Sequence, residues 1–146
     1  MSSKDGKQQT GIKRLENAFA LCKAEGRRAV SPFITAGDPD CDTTVAILKS
    51  ISAAGATCCE LGVPYSDPIA DGAVIQSSYT RALNAGMNLE KMFGIVSRFR
   101  EVCEMPLLAM ASYSLIFRTG IEEFVRRGEA SGLAWFVVPD LPLEES

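Results

Sequence analysis

The sequence contains no histidine among its 146 residues. Catalytic schemes in which an imidazole activates a serine or cysteine nucleophile are therefore excluded. Carboxylates become the natural candidates for proton transfer near neutral pH. Long apolar runs are also missing, since none approaches the roughly 20 residues that a helix needs to cross a bilayer. The polar N-terminus lacks the apolar centre of a secretion signal. We therefore expect a cytoplasmic protein that makes no contact with membranes.

Close cysteine pairs of the CxxC type are absent, although the chain has five cysteines. Their odd number and mainly apolar settings indicate reduced thiols and disfavour a metal site. The net charge of −3 and the lack of an Arg/Lys-rich run argue against nucleic acid as a partner. No glycine-rich dinucleotide motif and no Walker A motif occur, so the phosphate-binding loops of those two classes are excluded as well.

Short apolar segments alternate with helical patterns after a polar stretch, residues 1–10, that is predicted to be a flexible tail. The periodicity predicts helices over 12–24, 43–54, 75–84, 88–103 and 120–130, and strands over 29–35, 57–61, 107–112 and 133–138. Asp42 and Asn88 are predicted to cap two of the helices. Alternating strands and helices indicate an α/β fold with a parallel sheet, and both a doubly wound sheet and a (β/α)₈ barrel fit the pattern.

Acidic residues follow the predicted strands at their C-terminal ends. Asp38 follows the first strand, and Glu60 sits inside the end of the second. Asp67 and Asp71 lie on the loop beyond it, and Asp140 follows the fourth strand. Active sites form at this edge in barrels and in open α/β sheets. The acids are therefore candidate functional residues.

Glu60 is the least ordinary of these acids, because a carboxylate inside a parallel strand is expected to be at least partly buried. Burial raises the pKa of a carboxyl group and suits it to acid or base work. The alternative is a structural glutamate that is paired with an arginine or lysine. Asp71 lies in an Asp-Gly pair and Asp38 in GDPD, and both fit ordinary turn chemistry. Spacing alone leaves these alternatives open, and for Asp38 it favours the turn.

Four segments in a fixed order resemble the alpha subunit family of tryptophan synthase. They are PFITAGDPD (32–40), ELGVPYSDPIADGAVIQ (60–76), AMASYSLIF (109–117) and VPDLPLEES (138–146). The resemblance implies a (β/α)₈ TIM barrel and a lyase of tryptophan biosynthesis. Its reaction is the retro-aldol cleavage of indole-3-glycerol phosphate to indole and glyceraldehyde 3-phosphate. It implies no cofactor in this chain, because pyridoxal phosphate belongs to the partner, the beta subunit of an alpha2-beta2 complex.

The same resemblance implies roles for individual residues. Glu60 matches the acid/base that moves protons between the glycerol hydroxyl and the indole ring carbon. Asp71 matches the aspartate that hydrogen-bonds the indole N–H. The remaining matches line the substrate pocket (Phe33, Met110, Val137, Pro139) or close and orient the site (Asp67, Asp140). Without the resemblance, Phe33, Met110 and Trp135 are better explained as barrel core.

The strand-three segment departs from the family pattern, in which a tyrosine stands two residues before an asparagine. Ser112 and Ser114 occupy those positions here, with Tyr113 between them. The departure puts the tyrosine contact of the family in doubt and leaves Glu60 unaffected.

The length of the chain indicates only part of a barrel. A complete barrel of this type needs about 250 residues, so we expect 11–146 to be an N-terminal half with about four βα units. The lid and phosphate-binding loops of the family fall beyond it. We expect such a half to be marginally stable or to associate, and to be inactive alone. Two alternatives remain: a non-catalytic half-barrel that docks the beta subunit, and a different phosphate-binding barrel, which would lack the 60–76 motif.

Overall fold

The computed structural model describes residues 10–142. The elements run in chain order as α1 (Gly11–Ala24), β1 (Phe33–Thr35), α2 (Cys41–Ala53), β2 (Cys59–Gly62), α3 (Ala73–Asn84), α4 (Leu89–Arg100), β3 (Leu107–Met110), α5 (Tyr113–Thr119), α6 (Ile121–Ser131) and β4 (Trp135–Val137). The predicted alternation of strands and helices is confirmed. Residues 1–9 of the predicted tail and the last four residues of the chain lie outside the described range.

Two details of the helices differ from the prediction. Asp40, and not Asp42, caps α2, because its carboxylate accepts hydrogen bonds from the backbone N–H and the hydroxyl of Thr43 at 2.7 and 2.9 Å. The short helix α5 follows β3, where no helix is predicted. Asn88 caps α4 as predicted, since its side chain accepts from the N–H of Lys91.

The four strands form one parallel sheet in the order β1-β2-β3-β4. Each strand pairs with the one that precedes it in the chain, which is how a (β/α) barrel is built. Within the described residues, the outer edges of β1 and β4 have no partner strand. The observed sheet is therefore consistent with part of a barrel.

One face of the sheet packs against the helices. Cys59, Leu61, Leu107 and Ala109 alternate along the two central strands, and each is fully buried. They form the core with apolar side chains of α2, α4 and α6. Side chains alternate between the two faces of a strand, so Glu60 belongs to the opposite face.

That opposite face carries one row of side chains across all four strands. Phe33 pairs in register with Glu60, Glu60 with Leu108, and Leu108 with Trp135. The row is only partly buried, and Trp135 is 50% exposed. Trp135 lies on the face that a closed barrel would enclose, so the expectation that it belongs to a barrel core stays a prediction. This open face and the C-terminal strand ends position the candidate site.

Candidate functional site

A pocket lies at the C-terminal ends of the strands, between the loop that follows β2 and the ends of β3 and β4. Four of the predicted site residues line it: Asp71, Met110, Pro139 and Asp140. Its other walls come from the same loop, from α3 and from the segment after β3, through Tyr65, Pro68, Ile69, Ala70, Tyr79, Ala111 and Ser112. The fold therefore brings together predicted site residues that are as far apart in the chain as Asp71 and Asp140, which are 69 positions apart.

Glu60 and Phe33 lie beside this pocket, on the open sheet face. Glu60 is partly buried, as predicted, and is paired in register with Phe33. Within residues 10–142 its carboxylate has no ion pair and accepts no hydrogen bond. The alternative of a structural glutamate paired with an arginine or lysine is therefore wrong for the described part of the chain.

Asp71 sits on the loop between β2 and α3 and is partly buried. Burial, and after it the charge of Asp140, raises the pKa of Asp71 above its ordinary 3.8. The loop is held by backbone contacts, since the carbonyl of Asp71 accepts from the side-chain amide of Gln76 at 2.7 Å. The Asp71 carboxylate does not cap α3, whose N-cap residue is Gly72. The Asp71 carboxylate makes no hydrogen bond within the described residues, and it lines the pocket.

Asp140 ties the end of β4 to the segment after β3. Its carboxylate accepts hydrogen bonds from the Ser112 hydroxyl at 2.7 Å and from the Tyr113 N–H at 2.8 Å. Ser112 is the residue that replaces the tyrosine of the family pattern. The Ser112 hydroxyl thus hydrogen-bonds Asp140 in the wall of the pocket.

The remaining candidates lie at the rim or apart from the pocket. Val137 ends β4 opposite Met110 and is partly buried on the open face. Asp67 is exposed on the loop and accepts a hydrogen bond from Ser66. Asp38 accepts two hydrogen bonds from the Arg81 guanidinium, at 2.7 and 3.1 Å. This ion pair gives Asp38 a structural partner, in keeping with the structural interpretation favoured for it.

Tyr79 is a pocket residue that sequence reasoning missed. It lies on α3, is 3% exposed and lines the pocket beside Asp71. Its helical position marks it as an ordinary core aromatic. Only the folding of the loop after β2 over the strand ends reveals its position in the pocket.

Over residues 10–142, no cluster of cysteine and carboxylate side chains has the arrangement of a metal site. Within the same range, no helix is long and apolar enough to cross a membrane. All five cysteines are free thiols.

Known proteins resemble this chain closely. A family model described as tryptophan synthase alpha chain matches residues 19–146. The tryptophan synthase alpha chain of Thermoanaerobacter pseudethanolicus is 44% identical over 134 residues, which are 92% of this chain and 51% of that protein. The one of a Picosynechococcus species is 49% identical over 128 residues, 88% of this chain and 48% of that protein.

Solved structures agree with these sequence matches. The tryptophan synthase alpha subunit of Legionella pneumophila superposes with a TM-score of 0.87 at 34% identity, covering 90% of this chain and 51% of that one. A Pyrococcus furiosus structure, described as the tryptophan synthase a2b2 complex, gives 0.77 at 41% identity, with 80% and 47% covered. The chain spans about half the length of the relatives it matches. With its parallel half-sheet and its family match over 128 residues, the chain belongs to the tryptophan synthase alpha chain family.

Proposed function

We propose that this chain carries the acid/base half of a lyase site that cleaves indole-3-glycerol phosphate to indole and glyceraldehyde 3-phosphate. One observation carries the proposal. Glu60, a partly buried carboxylate without a partner in the described chain, lies two residues before the C-terminal end of β2, and the loop that follows this end carries Asp71, whose pKa is raised. Two carboxylates in different surroundings are what proton transfer and charge stabilisation at one site require.

Glu60 moves the protons in this scheme. Cleavage needs an electron sink, and a proton added to C3 of the indole ring supplies one. Removal of the proton from the glycerol hydroxyl next to the breaking bond then forms the aldehyde. The electron pair of the broken carbon–carbon bond returns to the ring and restores indole. Because no cation neutralises Glu60 in the described chain, its carboxyl group is free to give and to take these protons.

Asp71 stabilises the charge that develops on the ring. Protonation at C3 places positive charge on N1, and a carboxylate that accepts the N1–H hydrogen bond stabilises it. Burial and the neighbouring Asp140 both disfavour the Asp71 anion. Positive charge at N1 stabilises the Asp71 anion against both effects. The hydrogen bond from N1–H to Asp71 therefore strengthens as the transition state is approached.

The walls of the site orient the ligand. Phe33 and Met110 offer apolar surface for the indole ring, with Val137 and Pro139 completing the pocket on the side of β4. Asp67 closes the loop over the ligand, and Asp140 orients the segment after β3. No cofactor enters this chemistry on this chain, because every step is a proton transfer or a redistribution of the ring electrons.

The partner of the chain is the tryptophan synthase beta subunit, in a cytoplasmic alpha2-beta2 assembly in which the beta subunit holds pyridoxal phosphate. Support comes from the loop after β2 and from the start of α3, which each present one apolar side chain to solvent. Ile69 is 86% and Val74 is 84% exposed. Large exposed apolar side chains on neighbouring segments of the chain mark a candidate docking surface. Capture of a relative's beta subunit by this chain, weakened by Ile69→Ser with Val74→Ser and unchanged by Val102→Ser, tests the partner.

A chimera tests the activity. Residues 11–146 replace the matching half of the Thermoanaerobacter alpha chain, and indole release is measured. We expect activity, and we expect Asp71→Asn to lower kcat at least 100-fold, because one charge-stabilising group of this kind is worth 10²–10³ in rate. Asp38→Asn, away from the pocket, is the matched control. An active chimera that keeps its rate with Asn at position 71 contradicts the role of Asp71.

A further inference from the structure

Tyr79 has a buried side chain whose hydroxyl has no protein partner within the described residues. The side chain is 3% exposed, and within residues 10–142 its hydroxyl makes no hydrogen bond. The oxygen is not among the enclosed unpaired polar atoms of the described residues, so it is accessible to a ligand that can supply a hydrogen-bond partner. The group lines the pocket that contains Asp71.

The backbone of Gly62 and the ring of Phe33 locate the hydroxyl. A Cβ atom added to Gly62 would lie 2.8 Å from the Tyr79 hydroxyl oxygen and would overlap the end of the Phe33 ring. Both side chains therefore converge above the Cα of Gly62, at the end of β2. Gly62 and Glu60 are two positions apart and belong to the same face of that strand. The hydroxyl thus lies between the open face that carries Glu60 and the pocket that carries Asp71.

The hydroxyl keeps its proton. Burial, and after it the charge of Asp71, raises the pKa of Tyr79 above its ordinary value. A neutral phenol offers one O–H donor and retains its acceptor lone pairs. In the proposed function, Asp71 takes the indole N–H and Glu60 serves the reacting atoms. Glu60 takes the proton of the hydroxyl next to the breaking bond, so the other alcohol oxygen of the glycerol chain still needs a partner beside the ring.

We propose that Tyr79 is a substrate-binding residue whose hydroxyl hydrogen-bonds an alcohol oxygen of the ligand, and that it thereby selects ligands with a hydroxylated chain beside the indole ring. The inference rests on the proposed function and deepens it. It assigns to α3 a direct part in substrate choice, in addition to the acids of β2 and of the loop.

Binding measured by NMR titration of the Thermoanaerobacter chimera that carries residues 11–146, with Glu60→Gln to prevent cleavage of the ligand, tests the inference. The two ligands are indole-3-glycerol phosphate and its deoxy analogue, in which a propanol chain replaces the glycerol. Tyr79→Phe keeps the ring and removes only the oxygen. Thr80→Val is the matched control, because it removes an exposed hydroxyl from the same helix, one that bonds back to the Gln76 carbonyl.

We expect Tyr79→Phe to raise the Kd for the glycerol ligand about five- to tenfold, the effect of one hydrogen bond, and to leave the Kd for the deoxy analogue unchanged. Thr80→Val should change neither. An equal loss for both ligands, or no loss for the glycerol ligand, overturns the inference and leaves the proposed function standing. If the chimera without a change at Tyr79 binds neither ligand, the proposed function itself fails, and the inference fails with it.

Discussion

Asp140 and Ser112 join the ends of two neighbouring strands through a 2.7 Å hydrogen bond between the serine hydroxyl and the carboxylate. A second bond, from the Tyr113 N–H, satisfies the other oxygen of the same carboxylate. Tyr113 is the first residue of α5. The pair therefore anchors the start of that helix at the wall of the pocket, and it does so from 28 residues further along the chain.

Ser112→Ala removes the side-chain half of this anchor. We expect the free energy of unfolding to fall by about 1 kcal/mol, the usual net value of a hydrogen bond, as measured by urea denaturation. Ser114→Ala, two residues on and exposed, should change it by less than about 0.5 kcal/mol. Equal losses for the two variants would mean that the Ser112 bond adds no stability.

Asp140→Asn tests the electrostatic link to Asp71. The charge of Asp140 contributes to the raised pKa of Asp71, so its removal should lower that pKa towards the ordinary value. Burial, the larger cause, remains, and the decrease should therefore be partial. The side-chain carboxyl carbon of Asp71, followed by NMR against pH, reports it directly. Asp42→Asn, on the exposed start of α2, is the control. An unchanged Asp71 titration in Asp140→Asn would contradict the link.

The raised pKa of Asp71 also makes stability depend on pH. An acid whose pKa is higher in the folded state binds protons more tightly when folded. Its contribution to stability is full below the ordinary value of 3.8 and is lost as pH rises through the raised folded value. We expect Asp71→Asn to abolish this decrease in the free energy of unfolding. A pH profile that is identical with and without Asp71 would refute the shift.

Gly62→Ala tests the close approach of Phe33 and Tyr79 at the end of β2. The added Cβ meets both side chains, and overpacking of this kind costs about 1–3 kcal/mol. Phe33→Leu in the same chain should restore part of the loss. At Gly94, on an exposed helix face with nothing near an added Cβ, alanine should instead stabilise the chain by up to about 1 kcal/mol. Urea denaturation distinguishes the two glycines.

Thiol labelling tests the packing behind the sheet. Cys59 is fully buried, and burial raises the pKa of its thiol to about 12. Because the thiolate is the reactive form, Cys59 should resist iodoacetamide at pH 8 in the folded chain. Cys41 and Cys103 are only partly buried and should react before Cys59, as located by mass spectrometry. Early labelling of Cys59 would show that the helices do not cover this face of the sheet.

Local patterns predict much of this fold, because each strand and most helices carry their periodicity in adjacent residues. Glu60 could be placed at a strand end and expected to be partly buried from its apolar neighbours alone. The cap of α2 could not be decided locally, since Asp40 and Asp42 stand two residues apart in similar settings. Only the hydrogen bonds to Thr43 distinguish them.

The other features that the sequence did not predict depend on contacts between distant parts of the chain. The anchor of α5 is Asp140, which no local window includes, and the helix itself is only seven residues long. The effect of Asp140 on Asp71 and the position of Tyr79 in the pocket likewise depend on how the loop after β2 folds over β3 and β4. The roles of the two acids come from the family resemblance, and they stay predictions until activity is measured.

The proposed lyase chemistry depends most on Glu60, and the rate of indole release tests the role of this residue most directly. The measurement compares the Thermoanaerobacter chimera that carries residues 11–146 with the same chimera bearing Glu60→Gln, an isosteric change that removes the acid/base function. General acid–base catalysis contributes about 10²–10⁴ in rate. We therefore expect kcat to fall by at least 100-fold, with little change in KM and in the free energy of unfolding. A Glu60→Gln chimera that releases indole at the unaltered rate would contradict the acid/base role of Glu60.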